Sequence, residues 1–346
     1  MLAPPPLPRN LEASFRDLAS KKAEVRASAI DDLLRHARTD GGVRARAIPL
    51  LEERLADDAP KVRAAAAVGL ADLAASDAVP ALVRGVDDDD AYVRQMVLTA
   101  LGELGDRRAL PRVRRALTDR RAETRYQAII AFARIAGDPE VIGRALLAAT
   151  HDDDHAVVHI ALRIAEERLD AGTPLDARLV TRARKLLDAE TPALRLVAAI
   201  VLAKSGDPAG HPLLLRVVRG GKVMGQVPEK EDERAAVELV GELGLVEARP
   251  HLERRAWGFM HFVRDTCVFH AKIALARMGH PRAVDEILAD LRSDRPERVG
   301  GAVVAAGRAR LGSARGLIEG LPAAAVDPEL VKEALARLGE SGSGTR

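Results

Sequence analysis

Apolar residues recur along most of this chain at helical spacing, in blocks separated by short polar turns. In one block Val62, Ala66, Gly69, Leu70 and Leu73 fall at i, i+4, i+7, i+8 and i+11, a single stripe on a helix. The next block repeats it with Val93, Val97, Ala100, Leu101 and Leu104. No segment sustains the alternation of a half-buried strand, so the pattern predicts an all-α chain. Each block opens with an acidic turn followed by Val-Arg, as in Asp57-Asp58-Ala59-Pro60-Lys61-Val62-Arg63 and Asp88-Asp89-Asp90-Ala91-Tyr92-Val93-Arg94.

Counted by the basic residue after the turn, the phrase returns at Arg26, Arg63, Arg94 and Arg125, with His159 in a degenerate unit. It continues at Arg195, Arg234, near Arg264, at Arg298 and at Lys332. A period of about 30–40 residues predicts a stack of about ten two-helix units, each with a helix A, an acidic turn and a helix B. Asp57, Asp90, Asp119, Asp154, Asp188, Asp294 and Asp327 are the expected N-caps of the B helices. Pro60, Pro192, Pro296 and Pro328 sit near the first helical position, where a missing N–H costs nothing. Gly105, Gly137, Gly206, Gly244 and Gly279 are the expected left-handed ends of those helices.

The recurrence of Asp-x-x-x-Val-Arg-x-x-x-Ala-x-x-x-Leu resembles the HEAT-repeat family, in particular the short repeats of phycobilisome-lyase-like proteins. The resemblance covers roughly residues 12–338. It implies a right-handed α-solenoid whose B helices line the concave side. It also implies that Asp58, Asp90 and Asp119 meet Arg63, Arg94 and Arg125 of their own or neighbouring repeats. The expected organisation is a Pro-rich arm over residues 1–11, the solenoid over 12–338 with an irregular junction or loop at 219–232, and a disordered tail over 339–346.

Composition narrows the function. Aromatics are 2% of a chain that is 47% hydrophobic, so the core must be built from Ala, Leu, Val and Ile. The net charge of +2 argues against a dedicated nucleic-acid binder, although an Arg-rich stripe keeps that class as an alternative. One cysteine, Cys267, allows no internal disulfide. Residues 1–10 hold no apolar run of signal-peptide length, and no stretch reaches the ~20 apolar residues of a membrane span. A cytoplasmic location is therefore expected.

Candidate chemistry is sparse. His151, His155 and His159 would share a face on one continuous helix and could hold a metal. The Asp run between His151 and His155 occupies a repeat turn and is expected to break that helix. Arg219-Gly220-Gly221-Lys222 lacks both the spacing and the preceding strand of a phosphate loop, and reads as a flexible interhelical loop. Residues 257–270 hold the only Trp, the only Cys and three of the 5 Phe. There Trp257 and Phe259 are the candidates for exposure, whereas Phe262 and Phe269 are expected in the core. Paired His-Glu iron ligands and a Gly-x-Ser-x-Gly elbow are not found in the sequence, and Cys267 has no identifiable base partner beyond His261 and His270.

A non-catalytic scaffold with a protein partner on its concave B-helix surface, and with no cofactor, is the leading expectation. Tyr92, Gln95, Glu103, Tyr126, Ile129, Ile130 and Arg134 are its expected solvent-facing contacts, with Trp257 and Phe259 a second group. By analogy with the phycobilisome-lyase-like repeats, an accessory subunit acting on a bound cofactor is the alternative from another class.

Overall fold

A computed structural model of the chain describes residues 10–258, 267–322 and 325–339. Among these, twenty α-helices and no strands are found. The described helices follow one another as alternating A and B helices, and nine consecutive A–B pairs pack as hairpins. The protein is an α-solenoid that divides into two compact units, Met1–Leu179 and Val180–Arg346.

In the first unit the A helices are α1 (Leu11–Asp17), α3 (Gly41–Arg54), α5 (Val79–Gly85), α7 (Leu110–Ala116) and α9 (Pro139–Ala149). The B helices are α2 (Ala23–Ala37), α4 (Pro60–Asp72), α6 (Ala91–Leu104), α8 (Ala122–Ile135) and α10 (His155–Asp170). Each B helix packs on its own A helix and on the next B helix, α2 on α4, α4 on α6, α6 on α8 and α8 on α10. The division falls within α11 (Ala177–Leu186). The second unit continues with α12 (Pro192–Lys204), α13 (His211–Val218), α14 (Lys230–Glu242), α15 (Arg249–Trp257) and α16 (Val268–Arg277). It closes with α17 (Pro281–Asp290), α18 (Pro296–Arg308), α19 (Arg315–Glu319) and α20 (Pro328–Gly339).

The core has the composition the sequence demands. Ile30, Leu33, Leu70, Leu98, Leu101, Leu162 and Leu179 are fully buried, and among the aromatics Phe132 joins them. Each large aliphatic side chain contributes about 1.5–3 kcal/mol by leaving water. Small residues between them let the B helices approach closely. A Cβ added at Gly102 of α6 would lie 3.0 Å from the Ala131 Cα of α8.

Helix ends follow the expected chemistry at their C-termini and depart from it at their N-termini. Gly105, Gly137, Gly206, Gly244 and Gly279 all have positive φ. Ala74 and Arg310 hold the same conformation without being glycine, at φ 47° and 51°. Ala74→Gly relieves a steric cost and is expected to raise stability by about 0.5–1 kcal/mol, read as a higher Tm. At the N-termini, Asp90 and Asp154 cap α6 and α10. Asp57 and Asp119 do not cap: the caps of α4 and α8 are Ala59 and Arg121, and the two aspartates instead accept from the Ala59 and Arg121 N–H groups. Thr191, not Asp188, caps α12, and Arg295, not Asp294, occupies the cap of α18. Asp57 and Asp119 stand two residues before the cap because they have a second task.

That task is a ladder of charged bonds. Arg26 reaches Asp57, Arg63 reaches Asp88, Arg94 reaches Asp119 and Arg125 reaches Asp152, each arginine bridging to the following repeat. Every one of these arginines also donates to the carbonyl six residues before it, at Ser20, Asp57, Asp88 and Asp119. Of the expected pairings, Asp119 with Arg94 of the neighbouring repeat is present. Two others need correction: Asp88 rather than Asp90 meets Arg63, and Asp58, together with Asp57, meets Arg26 rather than Arg63, Arg94 or Arg125.

By the same register the next rung would join residues 158 and 189, which are Val158 and Ala189. Asp154 caps α10 four residues before Val158, as Asp90 does before Arg94. Val158, buried, thus occupies the ladder position that the sequence pattern assigned to His159. The charged ladder ends where the first unit ends.

Candidate binding surfaces

Positions on the B helices can be numbered from the ladder residue. Residues four after it are core in every repeat of the first unit: Ile30, Ala67, Leu98, Ile129 and Leu162 are buried. Ile129 is therefore not a solvent-facing contact; it is 1% exposed. Residues two before, and one, five and nine after the ladder position form the open face. Tyr92, Gln95, Thr99 and Glu103 supply it on α6, and Tyr126, Ile130 and Arg134 on α8. Of these Tyr92, Glu103 and Arg134 are exposed, while Gln95, Tyr126 and Ile130 are half-buried. The Thr99 hydroxyl donates to the Gln95 carbonyl at 3.0 Å within α6 and lies 3.3 Å from the Gln127 side chain of α8.

The B-helix face is indented where α2, α4 and α6 meet. A groove of about 540 Å³ is lined there by Asp31 and Arg35 of α2 with Arg38 just past its end, by Lys61, Ala64, Val68 and Asp72 of α4, and by Tyr92 of α6. Small side chains on α4 make the floor, because Ala64 and Val68 stand where α6 carries Gln95 and Thr99. Charged groups make the walls, with Arg38 bonded to Asp72 at 2.7 Å. Burial pushes the Asp31 carboxyl up from its ordinary value; Arg35 opposes this and Asp72 adds to it. Tyr92 stands at one end, 55% exposed, with its ring free to cover a ligand.

The three histidines are not brought together. The helix breaks between His151 and His155 as expected: His151 lies in the turn with Nδ1 on the Leu147 carbonyl, and α10 starts at His155. Among the described residues there is no group of three His, Cys, Asp or Glu placed to hold a metal.

In the second unit the aromatic stretch is used internally. Trp257 donates from Nε1 to Glu286 at 3.1 Å, carries the Arg282 guanidinium 4.3 Å above its ring, and lies 5.1 Å from the His280 ring. These neighbours make Trp257 a half-buried packing residue rather than the free contact its composition suggested. Phe259 and Phe262 lie outside the described residues. Phe269, expected in the core, is 40% exposed, because it begins the outer face of α16. Cys267 is fully buried and cannot meet a substrate.

The loop expected at 219–232 ends at Glu229, because 230–232 already belong to α14, and it contains a short antiparallel bridge between Val223 and Gln226. Val223 is buried against the core of the second unit, while Met224 and Val227 are exposed. Sequence reading missed one polar cluster on the B helices. His270 Nδ1 and Arg308 both bond Glu238 Oε1 from helices α16 and α18. Burial would raise the Glu238 carboxyl, but the bond from His270 and the charge and bond of Arg308 outweigh it and hold it low. Separations of 32 and 70 residues hide such a cluster unless the repeat register is already known.

Repeated hairpins, close B-helix stacking and a charged ladder define an α-solenoid of the HEAT type. HEAT repeats match residues 13–95 and 85–167, so this part of the chain is made of HEAT repeats. Among solved structures, Escherichia coli YibA is similar at 17% identity with a TM-score of 0.54, over 78% of this chain and 93% of that one. The CpcE–CpcF phycocyanin lyase complex of Nostoc sp. is 16% identical with a TM-score of 0.38, over 82% and 96%. A designed armadillo repeat protein in complex with the peptide (KR)4 is 15% identical with a TM-score of 0.40, over 57% and 100%. The likeness to YibA is one of fold. Among curated proteins none matches the sequence. No helix among the described residues is long and apolar enough to cross a membrane.

Proposed function

We propose that this protein is a non-catalytic scaffold that binds a protein partner on the B-helix face of its first unit. The observation that carries the reading is the groove formed only by consecutive B helices, with an unusually exposed tyrosine at its end. Tyrosine at the rim of a groove with an apolar floor and charged walls is the composition of a protein-binding hot spot. Solenoids present such faces because each repeat adds one helix to a continuous surface. The ladder supports the same division of labour, since its arginines and aspartates are spent on joining repeats. The partner segment this groove suits is an extended or helical peptide with both signs of charge, since Arg35 and Lys61 line it together with Asp31 and Asp72.

Tyr92→Ala tests this directly. Its ring is largely solvated, so the change should cost less than about 0.5 kcal/mol of stability. A photo-crosslinking side chain placed at Gln95 should capture a protein from the source cell extract, and Tyr92→Ala should lower that yield about tenfold. Undiminished capture in the variant would place the contact elsewhere.

A further inference from the structure

The fourth repeat inverts the charge of its neighbours. Between residues 107 and 125 the sequence carries eight arginines against two acids, in a chain whose total excess is only +2. At the turn tip the residue after the ladder aspartate is Asp58, Asp89 or Asp153 in the neighbouring repeats, but Arg120 here. The next position, Asp90 in α6 and Asp154 in α10, is Arg121.

Some of these arginines have structural partners. Arg108 pairs with Asp106 at 2.7 Å, Arg112 with Asp87, and Arg125 with Asp152 at 2.6 Å. Arg114, Arg115, Arg120 and Arg121 are exposed and have no carboxylate within ion-pair distance among the described residues. Arg114 and Arg115 end α7, and Arg120 and Arg121 follow within the same turn, so the four guanidiniums project from one end of the hairpin. Arg84, four residues before Asp88 as Arg115 is before Asp119, extends the patch onto the preceding repeat and touches only the Pro80 carbonyl.

Helix electrostatics does not account for the second pair. Arginine suits the C-terminus of α7, where Arg114 and Arg115 sit. Arg121, however, is the N-cap of α8, makes no side-chain cap bond, and places positive charge at the positive end of the helix dipole. Lys22 and Arg295 hold the same place on other B helices, so what sets this repeat apart is that Arg121 stands with Arg114, Arg115 and Arg120.

We infer that this edge of the fourth repeat docks a short acidic segment of a partner protein, independently of the B-helix groove. Arg114 borders a groove of about 590 Å³ floored by Leu117, Ala145, Ala148 and Ala149, which accommodates an apolar side chain next to the carboxylates. The groove is also lined by Asp119 and Asp152, which are held by Arg94 and Arg125, and by Asp153, so the acidic part of the ligand belongs beside Arg114 and the exposed arginines rather than inside the groove. Acidic turns at Asp87–Asp90 and Asp152–Asp154 flank the patch on both sides, so a phosphate backbone running along the stack would meet like charge at each end. None of the patch residues is aromatic, so there is no platform there for stacking bases.

Fluorescence anisotropy of the full chain with a labelled synthetic peptide of glutamates around a leucine pair tests the inference. A neutral peptide and a single-stranded oligonucleotide of equal length serve as competitors. Binding should weaken with added salt, and Arg120→Glu with Arg121→Glu should raise Kd at least about tenfold. The control pair Arg292→Glu with Arg295→Glu, an equal change of total charge at exposed positions of the second unit, should change it less than about twofold. The test variant should keep its Tm, since it removes positive charge from a helix N-terminus. The inference is overturned if the acidic peptide binds no better than the neutral one, if both charge-reversal pairs weaken it equally, or if the oligonucleotide binds more tightly and displaces it.

Discussion

Gly241→Val is expected to destabilise the second unit by about 3 kcal/mol and to separate its unfolding from that of the first. Gly241 lies on α14 where it meets α16. A Cβ there would stand 2.5 Å from the Ala274 Cα and 2.8 Å from its carbonyl oxygen. Those are backbone atoms, and they can yield only if two helices move apart. Separation would strip contacts from Val237, Val240 and Leu275, all buried in the same core. Valine is a poorer helix former than alanine, so propensity returns little of the loss. The same close approach recurs at Gly307 against Ala334, where the distance to Cα is 2.8 Å. Calorimetry should show one transition in the parent resolve into an early and a late one in the variant. A Tm unchanged within a degree would mean that the helices are not packed at this distance.

Arg63→Ala is expected to cost about 2–3 kcal/mol in the first unit, because it leaves a largely buried carboxylate without its charge partner. Arg63 holds Asp88 through two bonds of 2.8 Å and donates to the Asp57 carbonyl at 2.9 Å. Both side chains are mostly enclosed. Asp88→Ala should cost less than Arg63→Ala, since arginine can still reach carbonyls and water. A double-mutant cycle across the rung measures the coupling.

The rungs also set the acid response. Burial would raise the Asp57 and Asp88 carboxyls, but bonds from Arg26 and Arg63 and from the turn N–H groups overcome it and hold both below the ordinary carboxylate value. At Asp152 the bond from Arg125 is the largest influence, and it too lowers the value. A carboxylate whose folded value is depressed stabilises the fold at every pH above its unfolded value, about 3.9. That contribution is lost as pH falls through the folded value. The first unit should therefore lose stability below about pH 4, and Arg63→Ala should make that loss shallower. An equally steep acid loss in the variant would show that the rung does not drive it.

The solenoid itself was legible because the information is periodic. Val62, Leu70 and Leu101 repeat a stripe that no single helix needs, and Gly105 and Gly206 punctuate it at fixed places. Details that depend on rotation about one helix were less legible. One residue turns a helix by about 100°, so assigning the ladder position to His159 instead of Val158 exchanges core for surface. The same ambiguity put Ile129 on the open face, when it stands in register with Leu98. Whether Arg63 meets an aspartate of its own turn or the next is invisible in a phrase that every repeat carries. Trp257 was misjudged for a different reason. Its rarity suggested a hot spot, but Arg282 and His280, more than 20 residues away in sequence, occupy its ring. The arginines of the fourth repeat stand in the sequence, where an Arg-rich stripe suggested nucleic acid only and was tied to no particular repeat. Total charge concealed their significance, which only the pairing of their neighbours brings out.

Throughout the first unit the recurring Asp and Arg hold repeats together, and recognition belongs to the residues between them. Thermal stability and partner capture, measured together on Arg63→Ala and Tyr92→Ala, test that division most directly. Arg63→Ala should show a lower Tm, with capture through Gln95 retained below its melting range. Tyr92→Ala should keep its Tm and lose capture about tenfold. A stable Arg63→Ala protein that no longer captures its partner, or a Tyr92→Ala protein that melts early and still captures it, would contradict the account.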